Sequence, residues 1–84
     1  MATELEAFEA KVKMLKEQLP ESLEVLSRAG GLHKFALRNA LKATRKVLEG
    51  IKNNETLRNH PHRLRVDRIK SDIDVMINQI NAVL

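Results

Sequence analysis

Apolar residues recur along this chain at alternating steps of three and four, the spacing of one helix face, in three separate stretches. In "TELEAFEAKVKMLKEQL" they fall at Leu5, Phe8, Val12, Leu15 and Leu19, and Thr3 and Glu6 stand in capping-box spacing, which predicts a helix start at that point. Pro20 interrupts the stretch, yet Leu23 and Leu26 continue the stripe. "PESLEVLSRAGG" is therefore either a kinked extension of the first helix or a short additional helix beginning on proline, and Gly30 and Gly31 end it in both cases.

The second stretch predicts one helix from about Leu32 to Lys52. At 100° per residue, Leu37, Ala40, Leu41, Ala43, Thr44, Val47, Leu48 and Ile51 gather into one wide arc, expected to be the core-facing side. Lys34, Phe35, Arg38, Lys42, Arg45, Lys46 and Glu49 lie on the rest of the surface. "KNNETLRNH" then has the polarity of a connection, with Leu57 as its anchor and Gly50 as a fraying point before it.

The third stretch, about Pro61 to Val83, carries Val66, Ile69, Ile73, Met76, Ile77, Ile80 and Val83 on one face. Its β-branched content lowers intrinsic helix propensity, so this helix should depend on packing. Three amphipathic helices with short connections predict an all-α, antiparallel three-helix bundle, up-down-up, filling residues 1–84 as one domain, with the variant of a short fourth helix at Pro20. The chain is read either as complete or as a domain of a longer protein. The seam on the first helix also has heptad spacing, so pairing with a second helix outside the domain is the alternative to packing inward.

Composition narrows this picture. The 84 residues leave room for one core only. No cysteine is present to staple it, which fits an intracellular compartment, cytoplasmic or nuclear. No apolar run approaches the roughly 18 residues that a membrane span needs. The formal net charge of +4 is divided unevenly: residues 1–30 carry a net −2 and residues 31–84 a net +6. Either an acidic ligand meets the basic part or the first helix neutralises it.

That question is sharpest in "RNHPHRLRVDR", where Arg58, Arg63, Arg65 and Arg68, with His60 and His62, surround an apparent helix start. The amide dipoles make such an end partly positive, so cations there are unfavourable unless an anion is held nearby. An external phosphate or a partner's carboxylates is one expectation; neutralisation by Glu4, Glu6 and Glu9 is the other. Together with Lys42, Arg45 and Lys46 these arginines are expected to form a basic end able to bind nucleic acid or a phosphate headgroup, although no recognised nucleic-acid motif or aromatic stacking platform accompanies them.

Catalytic and metal chemistry lack their parts in this sequence. His60 and His62 have no third ligand close by. Asp67 and Asp74 bracket Lys70 at ordinary ion-pair spacing, and Ser22, Ser27 and Ser71 have no base and orienter in view. No cofactor is expected and no enzymatic activity. The expectation is a protein-binding adaptor or scaffold domain for an acidic or amphipathic partner, with homo-oligomers also compatible. The partner surface is expected to include Phe35, Arg38, Lys42, Arg45, Lys46, Arg63, Arg65 and Arg68. Phe35 has two readings, an exposed anchor ringed by cations or an end plug folded over "RAGG" onto Leu26.

Overall fold

A computed structural model describes residues 3–84 of the chain. Four α-helices run in order, α1 (Glu4–Arg28), α2 (Gly31–Lys52), α3 (Glu55–Arg58) and α4 (Arg63–Val83), and no strand occurs among the described residues. The three long helices form the expected up-down-up bundle. The extra helix is not at Pro20: it is the single turn α3 inside the polar connection, started by Asn54, whose side chain accepts from the Thr56 amide.

α1 starts as its capping box requires, with the Thr3 hydroxyl accepting from the Glu6 amide at 3.1 Å. It continues through Pro20 without a break. Proline removes the amide that would bond the Lys16 carbonyl and crowds that turn, a cost of roughly 3 kcal/mol. Beyond it, however, Leu26 is buried and Leu23 half-buried, and each fully buried leucine returns roughly 1.5–3 kcal/mol. The stripe therefore outweighs the proline. Ser22 takes part by donating its hydroxyl to the Gln18 carbonyl at 3.3 Å.

The α1–α2 turn is short because Gly31 adopts φ +57°, a left-handed conformation that costs a residue bearing Cβ roughly 1–2 kcal/mol. α2 thus begins one residue earlier than the pattern implied. It also runs past Gly50, where fraying was expected, to Lys52. α4 begins two residues later than expected, leaving Pro61 just outside and His62 at the N-cap.

The core follows heptad spacing throughout. Leu5, Val12, Leu19 and Leu26 are buried at steps of seven on α1, while Val66, Ile69, Ile73, Met76 and Ile80 alternate three and four on α4. Leu57 plugs one end from α3 and is fully buried. Polar contacts keep the same period. Along the parallel α1–α4 seam, Glu9 pairs with Arg65 and, seven residues on in both helices, Lys16 pairs with Asp72. Along the antiparallel α2–α4 seam, Lys52 pairs with Asp74 and, seven back on α2 and seven forward on α4, Arg45 donates to Asn81. Asp74 is thereby taken by α2 rather than bracketing Lys70.

One expectation needs correction. Of the eight residues in the α2 arc, Leu41, Leu48 and Ile51 are buried and Leu37 and Thr44 half-buried, but Ala40, Ala43 and Val47 are exposed. The arc is wider than the angle that two neighbouring helices can cover. Val83 likewise stands 38 % exposed at the end of α4.

Two substitutions test the packing. Ile73→Asp places a charge at a fully buried position where α4 meets the rest of the core, and is expected to abolish cooperative folding; unchanged circular dichroism and melting would show that α4 is turned the other way. Leu48→Ala removes a fully buried side chain and is expected to cost about 2–5 kcal/mol in a denaturant titration.

Candidate interaction surfaces

The eight residues picked out as a partner surface do not lie together. Phe35 is in the second turn of α2 and 63 % exposed, so it is not a plug on Leu26. Lys42 and Lys46 lie on the same solvent-facing side at helical spacing and are exposed. Arg38 and Arg45 are half-buried and turned to α4: Arg38 donates to the Leu84 carbonyl and Arg45 to Asn81, while the Glu49 carboxylate lies 3.9 Å from the Arg45 Nε. Since Arg45 sits level with Asn81, thirteen residues beyond Arg68, the two halves of the expected basic end are about 20 Å apart along the bundle. They form two surfaces.

At the start of α4 the internal answer is partial: of Glu4, Glu6 and Glu9, Glu9 alone makes a salt bridge to these arginines among the described residues. Arg65 holds Glu9 through two hydrogen bonds, its Nε donating to Oε2 at 3.1 Å and its Nη2 to Oε1. This contact lowers the Glu9 carboxyl below its ordinary pKa and raises the Arg65 guanidinium above its own. Arg68 and His60 add a smaller lowering at Glu9. Arg63 donates to the Arg58 carbonyl at 3.1 Å, closing the end of α3. The His60 Nδ1 accepts from the His62 amide at 3.1 Å, with the two rings 5.4 Å apart. The histidines thus build the turn. Among the described residues no three His, Cys, Asp or Glu side chains gather as a metal ion would need.

What remains is modest. Arg68 makes no salt bridge among the described residues, nor does Lys13. Both line a shallow groove of about 200 Å³ between α1 and α4, floored by Val12 and Ile69 and bordered by the two seam ion pairs. The α4 N-terminus has no side-chain cap and no acidic residue in its first turn, and Leu64 beside it is 84 % exposed.

Two exposed leucines, Leu32 and Leu64, were missing from the expected surface. Each stands next to a helix start outside the periodic stripe, which was a signal available in the sequence. More informative is the uncovered part of the α2 arc, Ala40, Ala43 and Val47, because Leu32, Ala36 and Gly50 continue it along the helix: all six are exposed at steps of three and four. Beside it on α1, Met14 and Val25 are also exposed. Together these make an apolar face along the α1–α2 hairpin with no helix over it among the described residues.

Comparison of the chain with models of known protein families, with characterised proteins and with solved structures finds no match. No described helix is long and apolar enough to cross a membrane.

The internal pairing at α4 predicts a distinct response to charge removal. Changing Arg63 and Arg65 together to Gln is expected to lower the melting temperature modestly at low salt and less at high salt, because a partly solvated pair and a carbonyl cap are lost together. A rise in melting temperature would instead mean that dipole repulsion outweighs the Glu9 contact. The pH dependence has a fixed sign. Glu9 titrates lower in the folded protein than in the unfolded chain, so its contribution is complete above the unfolded carboxylate pKa and is lost as pH falls through the folded value. Thermal melts are therefore expected to show wild type losing, below about pH 4, an advantage over Glu9→Gln that it holds at pH 7.

Proposed function

We propose that this domain is a non-enzymatic interaction module that binds an acidic, amphipathic helix of another protein, with Phe35 as its apolar anchor. The observation that carries the reading is the exposure of Phe35, 63 %, on a long, regular helix fixed by the core on its opposite side. Leaving a phenyl ring in water forgoes a burial gain of roughly 1.5–3 kcal/mol, and aromatic side chains on rigid elements are the usual energetic centres of protein interfaces. Lys42 and Lys46, on the same side of α2 as Phe35, are without a salt bridge among the described residues. They suit an acidic partner and would steer its approach. The reading places the protein inside the cell, consistent with a chain that has no cysteine.

A second reading, binding of nucleic acid or a phosphate headgroup at the α4 end, is supported by Arg68 and Lys13, which make no salt bridge among the described residues, and by the uncapped first turn of α4. It is the weaker one, since Arg63, Arg65 and His60 already have partners within the fold.

Capture from cell extract with and without nuclease separates the two. Under the leading reading a protein partner survives nuclease, and Phe35→Ala weakens its binding at least tenfold while shifting the melting temperature far less than Leu48→Ala does. If Phe35→Ala destabilises the free domain as severely as Leu48→Ala, this face loses its claim. A nuclease-sensitive signal reduced by Lys13→Gln with Arg68→Gln would favour the second reading.

A further inference from the structure

The apolar face of the α1–α2 hairpin has an arrangement of charge that identifies what covers it. Six cations and one acid are spread over α2, yet none falls in the arc through Leu32, Ala36, Ala43 and Val47. On α1, Met14 and Val25 extend this face; Gln18, Lys11 and, at the far end, Glu4 also fall on it, Lys11 on a stem long enough to carry the ammonium to its edge. The two outer edges differ in sign. At 100° per residue, Glu17 and Glu21 fall along the α1 edge and Lys42 and Lys46 along the α2 edge; Arg28, which shares the α1 edge near the turn, is held by Glu24 at 2.7 Å. None of the four makes a salt bridge among the described residues. Counting outward from the turn at Gly30, Glu17 on one strand of the hairpin is level with Lys42 on the other.

A surface with one acidic and one basic edge is complementary to itself under a particular symmetry. We propose that two copies of this chain associate through their α1–α2 faces about a two-fold axis running along the hairpin, so that α1 of each copy lies over α2 of the other. Glu17 then faces the second copy's Lys42 at both edges, with Glu21 one turn to one side of that contact and Lys46 one turn to the other, and four helices enclose the alanines, Val25 and Val47. The other symmetric arrangement, with the axis across the hairpin, sets α1 on α1 and α2 on α2 and opposes like charges at both edges. The charge pattern selects the first.

The area supports a specific but weak dimer. About 20 residues of each helix give a face roughly 30 Å long, and two axes 8–10 Å apart make it roughly 20 Å wide. About 600 Å² per copy, about 1,200 Å² in all, lies at the lower limit for specific association. Small residues allow the helix axes to approach closely, which compensates in contact density for the modest side chains. Phe35 lies at the outer side of this face, so the association goes beyond the partner binding proposed above and does not depend on it; Lys42 and Lys46 stand between the two surfaces.

Analytical ultracentrifugation of the full chain over a range of concentrations tests this. The expected result is a reversible shift from 9.6 kDa toward twice that mass, with association weakened at least tenfold by Ala43→Glu, while circular dichroism and melting of the dilute protein are unchanged because residue 43 is exposed. Glu17→Lys with Glu21→Lys, and separately Lys42→Glu with Lys46→Glu, should each abolish association, and all four changes in one chain should restore it. Wild type that remains monomeric up to about 1 mM overturns the proposal. So does a dimer indifferent to Ala43→Glu, or one that neither charge-reversal pair affects, since the crosswise axis would replace one like-charge contact by another.

Discussion

Everything in this fold depends on α4 having both other long helices against one narrow stripe. Val66, Ile69, Ile73, Met76 and Ile80 are all buried, and both polar seams have α4 as a member. A helix so rich in β-branched residues is a poor helix in isolation. α4 is therefore stable only while α1 and α2 cover it, and they remain in place because each commits an apolar edge to it. That mutual dependence accounts for the regular seven-step spacing of the polar contacts. Side chains flanking a heptad seam meet at the same interval as the seam itself, so one correct register aligns all of them.

The same constraint leaves α1 and α2 less completely covered. Each uses part of its surface to meet α4 and a smaller part to meet the other, and α2 has more apolar circumference than those two contacts consume. Ala40, Ala43 and Val47 are the remainder. In a domain with only one core, a helix with a second uncharged flank is costly to solubility unless something covers it. α2 limits that cost by using alanine and glycine on most of the flank and by placing its many cations elsewhere.

Much of the fold was legible in the sequence because helical periodicity is a local signal. The three stripes, the capping box at Thr3, the turn at Gly30 and Gly31 and the buried anchor Leu57 all follow from spacing within a few residues. Pro20 was ambiguous for a reason equally local: the penalty of a proline is visible at its position, while the leucines that outweigh it count only once they are buried. Longer-range features were harder to read. Whether Asp74 serves Lys70 or Lys52, and whether Arg45 stands near Arg68 or near Asn81, depends on the register between α2 and α4, which no single segment contains. The expected basic end failed as one surface on that point alone.

The width of the α2 arc carries a more general lesson about surfaces. A stripe of eight apolar positions reads as a large core face if its size is judged by count, but a helix in a three-helix bundle is covered over a limited angle, and residues outside that angle stay exposed whatever their polarity. The informative comparison is between the angle an apolar arc spans and the angle its neighbours can cover. On α4 the two nearly match, with Val83 at the margin. On α2 the arc exceeds the cover along most of the helix's length, always on the side toward α1, where Met14 and Val25 are also exposed. An excess scattered around the helix would be ordinary surface. An excess that keeps to one flank through successive turns, and continues onto the adjacent helix, is instead a second apolar flank that α4 does not reach, and it is this continuity on which the proposed two-fold association rests.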